Sequence, residues 1–409
     1  MHYGRTYLML LLTVLGLCGT LTAQEQPESV EDASYRLYLS GDWKKLAAYC
    51  DSAIASGTDY YYLSLRAGIA RYQLQQYRTA IGDFDRARKF NSVDTLAVIY
   101  EYYSYVFAGQ YEEATWFRSG LDSLAQSKLH ESQVSVVYGE GAMKRSDDSL
   151  YADAFYGQVG LTHTLGGRAS LSHAATIFAQ KEYRYNIHQY QYYLRPVIPM
   201  RNNFSLALGL HLVYDDLLLP PTVLPRDTLH PWMPPPVIPG HEERYWNIAG
   251  AAQLTKHTEW FDFSIGATTS YIDSSAQQAG NAGLVFFPLR NNRLSIGVSG
   301  YFHTDDQFTT TYGAFSSSLD AVFSKYLYGS VSYMHNSGPN FIENVGYFVN
   351  NSDDNAVSRF SAGLTFRPMG KVAIYGTYAR EERYNTSLSS GYNYNIFLFG
   401  LKFFPAGAF

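Results

Sequence analysis

The stretch LVFFPLRNNRLSIGVSGYFH, residues 284–303, carries the pattern that decides the fold. It predicts two strands joined by a tight polar turn at residues 289–293. Along the second strand, apolar residues alternate with small or polar ones, so the strand has one apolar and one polar face. The two faces are Leu294, Ile296, Val298 and Phe302 against Ser295, Gly297, Ser299 and Tyr301. A sheet made only of such hairpins can close into a barrel that is apolar outside and polar inside, as transmembrane β-barrels are.

The same alternation continues from residue 132 almost to the C-terminus. It predicts an antiparallel transmembrane β-barrel of about 14 strands, an even number as in single-chain bacterial barrels. The predicted strands span residues 132–142, 151–164, 168–179, 187–198, 203–215, 245–256, 260–272, 279–289, 293–303, 312–324, 327–337, 356–367, 371–382 and 391–404.

The connections between the predicted strands alternate between short and long. Bacterial barrels keep short turns on the periplasmic side and long loops outside the cell. This alternation predicts that the region before the barrel and the C-terminus both face the periplasm. The last strand is rich in aromatic residues and resembles the terminal recognition strand of outer-membrane barrels. A soluble β-sandwich or propeller is the alternative for a chain of many short strands.

Composition and the N-terminus limit the other classes of function. The chain has 409 residues and a net charge of −5, which indicates no basic face for nucleic acid. Residues 1–23 have the pattern of a secretory signal peptide, with Arg5, an apolar core and a cleavage site ending at Ala23. After cleavage only Cys50 remains of the 2 cysteines, so neither an intramolecular disulfide nor a cysteine-based metal site is expected, and no cofactor is predicted.

A helical region with an internal repeat precedes the barrel. Trp43, Tyr77 and Tyr111 recur at an interval of 34 residues (43 to 77 to 111). The middle unit GIARYQLQQYRTAIGDFDRARKFN closely resembles a tetratricopeptide (TPR) repeat, with Gly68 and Phe84 at its small and aromatic packing positions. The resemblance implies stacked antiparallel helix pairs and about three repeats, which is near the minimum for a stable stack.

We therefore predict a two-domain α + β chain with a signal peptide at residues 1–23, a TPR-like α-solenoid at 24–128 and an outer-membrane β-barrel at 129–409. This layout resembles TPR-plus-barrel outer-membrane proteins of the Bacteroidota type. The run of aromatic strands at residues 150–215 is similar to the barrel of the YaiO-like family. Both resemblances imply location and architecture, and neither implies an activity.

The concave face of the predicted solenoid is the first candidate binding site. In TPR proteins, five positions of each repeat line this face, and the resemblance places apolar and aromatic residues there. The predicted partner-binding residues are Tyr62, Leu65, Ile69, Tyr72, Tyr103 and Phe107. An exposed apolar surface of this kind usually marks a partner, which we predict to be a periplasmic or outer-membrane protein. The alternative is that the groove packs against the solenoid's own terminal helix or under the barrel.

The loop at residues 216–244 is the second candidate site, because it is unusually rich in proline. Prolines limit its conformations, so ordering this loop on a partner or in the lumen loses less entropy. Trp232 and Met233 give it apolar content, and we predict that they dock a partner or form part of a lid. A stiff surface loop is the alternative.

Three other groups of polar residues have conventional explanations. His211 is predicted to face the lumen as a hydrogen-bonded wall residue, whereas a hydrolase would need a serine and an acid within reach of a histidine. His241 is followed by two glutamates but lacks the spacing of a metal site. The acidic pairs at residues 147–148, 305–306 and 353–354 are predicted to be solvated loop tips, or else to bridge lipopolysaccharide through divalent cations.

These observations predict a non-enzymatic barrel in outer-membrane lipid, whose periplasmic TPR module recruits a protein partner for envelope assembly, secretion or transport. One alternative is a porin-like channel for small solutes, and another is a barrel-embedded lipid hydrolase. A lumen filled by large side chains favours the first function. An open polar lumen favours the channel, and a serine–histidine contact on one wall favours the hydrolase.

Overall fold

A barrel of antiparallel strands follows a group of short helices. The structure is a computed structural model that describes residues 28–129, 135–149, 151–182, 185–223, 235, 237–272, 274–305, 310–336, 338, 342–349, 354–385 and 389–405. The predicted signal peptide at residues 1–23 lies outside these ranges.

The described helices follow one another through short turns. In chain order they are α1 Val30–Ser40, α2 Trp43–Ala55, α3 Tyr61–Gln73, α4 Tyr77–Phe90, α5 Thr95–Phe107, α6 Tyr111–Ser119 and α7 Ser123–Ser127. Polar caps begin several of them, as where the Asp42 side chain accepts a hydrogen bond from the backbone N–H of Lys45. None of the helices in the described ranges is long and apolar enough to cross a bilayer.

Successive helices pack through small and aromatic side chains. The close approach of α3 and α4 depends on Gly68, because a Cβ there would lie 2.6 Å from the Phe84 ring. Phe84 in turn stacks on Tyr100 of α5 at a centroid distance of 5.5 Å, which ties one helix pair to the next. The packing positions predicted from the repeat are therefore in contact.

Two buried ion pairs lie within the helical domain. Arg71 forms an ion pair with Asp83, and Arg88 forms one with Glu101 at 3.0 Å. Burial raises the pKa of Asp83 to about 6 and that of Glu101 to about 7, although the partner arginines oppose the shift.

Fourteen strands of the described residues close into one antiparallel barrel. They are β1 Val136–Ser146, β2 Tyr151–Leu165, β3 Ala169–Glu182, β4 Asn186–Met200, β5 Phe204–Leu219, β8 His241–His257, β9 Phe261–Ile272, β10 Ser275–Phe286, β11 Leu294–Asp305, β12 Thr311–Ser324, β13 Leu327–Asn336, β16 Asn355–Met369, β17 Val372–Asn385 and β18 Ser390–Phe403. Each pairs with its neighbours along the chain, and β1 pairs with β18 to close the ring, for example Gly141 with Phe399. Two short hairpins lie outside the ring: β6 Thr222–Val223 with β7 Val237–Ile238, and β14 Ile342–Glu343 with β15 Phe348–Val349.

The alternation of the sequence sorts side chains between the outside and the lumen as predicted. On β11, Val298 and Phe302 are exposed on the outside, whereas His303 is buried on the inside. Aromatic rings mark both ends of the apolar exterior. Tyr214 contacts Trp246 near the long loops, and a similar ring contact occurs near the short turns, between Phe261 and Phe286. An apolar band between two aromatic girdles is the exterior of an outer-membrane barrel.

All fourteen predicted strands are present, but several extend further than predicted. β5 runs to Leu219 and β8 begins at His241, beyond the predicted bounds at residues 215 and 245. Backbone pairing continues there, as between Leu218 and Glu242, although the apolar alternation fades. Pairing with the neighbouring strand, and not the face pattern, therefore sets strand length beyond the bilayer. The two short hairpins lie in segments predicted as loops, since two residues per strand are too few to show alternation.

The helical domain lies against the end of the barrel that carries the short turns. Asn291, in the turn between β10 and β11, donates from Nδ2 to the Gln75 carbonyl at 2.8 Å. The backbone N–H of Arg78 donates to the Arg290 carbonyl at 3.0 Å. We call this end of the barrel the short-turn end and the opposite end the long-loop end.

The closed ring makes a direct prediction for the purified protein. An unboiled sample should migrate faster in gel electrophoresis than a boiled one, because the paired strands resist detergent and keep the barrel compact. The measurement is heat-modifiable mobility of membrane-extracted protein. Recovery of the protein in the soluble periplasmic fraction would contradict this prediction.

Candidate functional site in the barrel lumen

A hairpin from the long loop between β13 and β16 folds into the lumen. We call residues 342–349 the lumen hairpin. Its tip meets the inner face of β5, where a Cβ placed on Gly209 would lie 2.0 Å from the carbonyl oxygen of Val345. The hydroxyl of Tyr193 donates to that carbonyl at 3.1 Å, and His211 Nδ1 lies 2.8 Å from the Gly346 carbonyl. Glycine is required at position 209 because any side chain would occupy the space of the hairpin backbone.

The sides of the lumen hairpin pack against half of the wall. Ile342 joins a buried cluster with Ala249 of β8. The hydroxyl of Tyr347 donates to Gln158 of β2 and lies 3.4 Å from the hydroxyl of Tyr138 on β1. Together with the tip, these contacts place the hairpin against β1, β2, β4, β5 and β8.

A buried cluster of charges fixes the base of the lumen hairpin. Glu343 pairs with Arg359 of β16, whose guanidinium also lies 3.7 Å from Glu381. Glu381 in turn pairs with Lys144 at 3.3 Å and with Arg383 at 2.7 Å. Three cations around two carboxylates compensate for burial, and removal of one partner would leave an unpaired charge inside the barrel.

The end of the same loop is held by Asp354, which the sequence predicts to lie at a solvated loop tip. This prediction is wrong, because the side chain is only 4% exposed. Its carboxylate accepts hydrogen bonds from Tyr151 at 2.6 Å and from Tyr392 at 2.7 Å. The two rings stack at a centroid distance of 4.3 Å. Residues from β2 and β18 thus converge on one carboxylate, which their distance in sequence does not reveal.

The other half of the lumen wall carries small polar side chains on β10–β13 and β16. They are Asn281, Ser295, Ser299, Ser316, Ser318, Ser330, Ser332 and Ser361. The hydroxyls of Ser332 and Ser361 lie 2.8 Å apart, and near the short turns Asp320 and Ser330 are exposed to solvent. Side chains this small project only a short distance from the wall.

Charged side chains from α4 and α6 enter the barrel at the short-turn end. Arg78 pairs with Asp262 of β9, and its guanidinium lies 3.9 Å from the centre of the Phe287 ring. His257, the last residue of β8, lies 2.9 Å from Asp262 and 3.3 Å from Glu113. Burial lowers the pKa of Arg78, and the neighbouring carboxylate of Asp262 opposes this shift. These ion pairs join the helical domain to the barrel wall.

A cavity of 360 Å³ lies between these helices and the wall. Glu112 and Arg195 are among the residues that line it. Burial raises the pKa of Glu112, which accepts a hydrogen bond from Ser170 of β3 at 3.1 Å. The helical domain therefore covers part of the short-turn mouth and leaves a cavity behind it.

Ser205 lies at the same junction, with its Oγ 3.0 Å from His257 Nε2. A serine–histidine contact beside a carboxylate is the arrangement that favours the hydrolase alternative. However, Glu113 lies 3.3 Å from the same ring nitrogen, and Asp262 lies beside the other one. Because a carboxylate lies within ion-pair distance of each ring nitrogen, the protonated ring is favoured, and a protonated ring has no lone pair for the serine proton. The contact belongs to the ion pairs that join the two domains.

The six predicted groove residues lie in different environments. Leu65 and Ile69 are buried in the core between helices, 6% and 5% exposed, and offer little surface to a partner. Tyr72, Tyr103 and Phe107 are half-buried and form one aromatic group, in which the Phe107 ring lies 6.1 Å from each tyrosine ring. Tyr62 is exposed and stands apart from this group, beside Arg66. The structure thus brings together three of the six.

The remaining predicted residues have simpler outcomes. Trp232 and Met233 lie outside the described residues. His211 faces the lumen and is hydrogen-bonded, as predicted. His241 pairs with Glu243 at 2.9 Å on the exposed surface. No group of three or more metal-ligating side chains occurs in the described part of the chain.

The lumen hairpin is the main functional element that sequence reasoning misses. The segment between β13 and β16 is predicted as a long polar loop. A signal was present, since Ile342, Val345 and Phe348 give this loop apolar residues that a solvated loop rarely needs. Gly209 was a second signal, because a single glycine within a regularly alternating strand often marks a close approach of another backbone.

Comparisons with known proteins find similarity only in structure. No protein-family model matches the chain, and no curated protein matches its sequence. Among solved structures, the CymD monoaromatic hydrocarbon channel is 9% identical, over 69% of this chain and 91% of that one, with a TM-score of 0.44. A Pseudomonas aeruginosa FadL homologue is 10% identical, over 66% and 89%, with a TM-score of 0.42. The Acinetobacter baumannii outer membrane protein Omp33 is 10% identical, over 66% and 99%, with a TM-score of 0.36.

Similarity at this level carries no argument about the activity of this chain. The closed ring, the apolar exterior and the aromatic girdles assign the barrel to an outer membrane. The resemblances to TPR-plus-barrel proteins and to the YaiO-like family stay predictions.

Replacement of Gly209 by alanine should displace the lumen hairpin. Overpacking of about 1–3 kcal/mol is expected where a side chain meets packed backbone. The matched control is Gly300→Ala on β11, because a Cβ there would meet no atom within 4 Å. The measurement is limited proteolysis of the folded barrel at residues 342–349. Equal protection of the hairpin in both variants would show that Gly209 does not position it.

Proposed function

We propose that this protein is a non-enzymatic outer-membrane channel through which small polar solutes cross beside the lumen hairpin. The observation that carries the proposal is the division of the lumen. One half of the wall is covered by the hairpin, and the other half is lined by small hydroxyl-bearing side chains on β10–β13 and β16.

The chemistry of the open half fits polar solutes. Serine hydroxyls both donate and accept hydrogen bonds, so they can replace the water around a sugar or a small zwitterion without requiring one charge. The exposed Asp320 and Ser330 extend this lining toward the short-turn end. The hairpin narrows the passage, so large solutes are excluded by size.

The proposal includes an orientation. Short turns face the periplasm in bacterial outer-membrane barrels. The helical domain contacts the short turns, for example through Asn291 and Gln75. We therefore propose that this domain is periplasmic and partly covers the exit of the channel.

A liposome-swelling assay with sugars of increasing size tests the channel. The wild-type protein should admit small sugars, and Ser332→Trp should slow swelling several-fold because an indole fills the open half of the lumen. Val331→Trp is the matched control, since the neighbouring Val331 is 41% exposed on the outer face. Both variants must keep heat-modifiable mobility. An impermeable wild-type barrel, or equal swelling of the two variants, would reject the channel.

A second function is carried by a different observation, the aromatic group of Tyr72, Tyr103 and Phe107 on the helical domain. We propose that this group and the exposed Tyr62 bind a periplasmic or outer-membrane protein partner, for envelope assembly, secretion or transport. Tyrosine rings give large contact area at a small entropic cost, which suits them to interfaces. A channel whose mouth carries a partner-binding module would pass its cargo directly to that partner.

Pull-down from solubilised membranes tests the partner. Tyr62→Ala and the double change Tyr72→Ala with Tyr103→Ala should each lose it, since one aromatic anchor can cost on the order of 2 kcal/mol when truncated. Tyr62 is 56% exposed, so its replacement should leave the fold intact. Helix content by circular dichroism is the control for the double variant. Retention of the partner by Tyr62→Ala and by a folded double variant would exclude this surface.

A further inference from the structure

A cavity of 570 Å³ lies outside the lumen, between the helical domain and the short turns of the barrel. Its barrel side includes Arg168 from the β2–β3 turn, Arg201 from the β4–β5 turn and Lys256 near the end of β8. Its helical side includes Trp116 and Phe117 of α6. Three separate segments of the barrel rim thus bring cations to one cavity that has an aromatic opposite wall.

The charges of this cavity are not balanced within it. Within the described residues, neither Arg168 nor Arg201 forms an ion pair, and both are exposed. The two carboxylates that line the cavity already have partners. Asp85 pairs with Lys89 at 2.8 Å, and Glu101 pairs with Arg88. An anion entering the cavity would therefore meet arginines that have no competing partner.

The turn that carries Arg201 is held in one conformation. Asn202 and Asn203 both have left-handed backbone angles, with φ of 60° and 57°. Lys256 donates from Nζ to the Asn202 carbonyl, and its amine lies 4.5 Å from the centre of the Phe204 ring. Asparagine adopts left-handed angles readily in a tight hairpin turn, so this turn holds Arg201 at a defined position on the barrel rim.

The exposed apolar side chains of β2 and β4 end close to this cavity. Leu165, the last residue of β2, is 53% exposed on the outside and stands three residues before Arg168. On β4, Ile198 is 38% exposed three residues before Arg201. Trp116 of α6, which lines the same cavity as these turns, is 36% exposed. Apolar side chains followed by arginines, with a tryptophan nearby, mark the headgroup region of a membrane.

We propose that this cavity binds the phosphate headgroup of an anionic phospholipid from the leaflet at the short-turn end. Arg168 and Arg201 contact the phosphate, because a guanidinium offers paired N–H donors to its oxygens. Trp116 lies beside the glycerol region, and the acyl chains follow the exposed leucine and isoleucine side chains of β2 and β4. The bound lipid links the helical domain to the barrel rim from the membrane side.

Native mass spectrometry of the full chain in a neutral detergent tests this site. Phosphatidylglycerol should bind more tightly than phosphatidylcholine. The double variant Arg168→Gln, Arg201→Gln should weaken the binding of phosphatidylglycerol by roughly 30-fold, as expected for two basic side chains at an anionic surface. The matched control is Arg145→Gln with Arg380→Gln. These arginines lie near the long-loop end of β1 and β17, and the control should bind like the wild type.

The outcomes separate the sources of phosphate. Inorganic phosphate at millimolar concentration should fail to displace the lipid, because acyl contacts contribute to its binding. Displacement by inorganic phosphate would assign the site to a soluble phosphate and overturn the lipid. Equal binding of phosphatidylglycerol by the wild type and by a double variant with unchanged heat-modifiable mobility would overturn the site itself.

Discussion

The closure of the ring by β1 and β18 is the constraint on which the rest of the structure depends. In a bilayer no water satisfies an exposed backbone N–H or carbonyl, so a sheet edge would be costly, and pairing of the first strand with the last removes both edges. Once the ring is closed, the alternation of side chains has a single meaning, since one face meets lipid and the other meets the lumen. The lumen is then partly filled by other segments of the same chain.

The chain fills this space from both ends. The lumen hairpin enters from the long-loop end and meets the bare backbone of Gly209, and the glutamate at its base is held by Arg359. The helical domain enters from the short-turn end, where Arg78 and Glu113 reach Asp262 and His257. Both insertions rely on charged groups that are paired inside the barrel, because an unpaired charge there would be strongly destabilising. Most of their contacts avoid the serine-bearing wall of β10–β13, and this asymmetry is the basis of the proposed channel.

The three functions considered from the sequence depend on different parts of this arrangement. A recruiting module needs an accessible aromatic surface, which Tyr62 and the group around Phe107 offer and which Leu65 and Ile69 do not. A channel needs space beside the lumen hairpin. A hydrolase needs a histidine with a free lone pair beside Ser205, and the carboxylates around His257 favour the protonated ring, which has none. The same ion pairs that attach the helical domain therefore count against an enzyme.

The sequence by itself determined the barrel, its fourteen strands and the face of each strand. Alternate residues of a strand face lipid and must be apolar, so each strand shows this alternation in its own local sequence. The resemblance to a repeat also identified Gly68 and Phe84 as packing positions, and the structure brings the two into contact. Only the tertiary structure decided what lies inside. The burial of Asp354 between Tyr151 and Tyr392 brings together residues from β2, β18 and a loop, and the placement of Val345 against Gly209 joins segments that are far apart in the chain. The apolar residues of this loop indicate that it is not fully solvated, but the wall residues that it meets depend on contacts that exist only once the ring has closed.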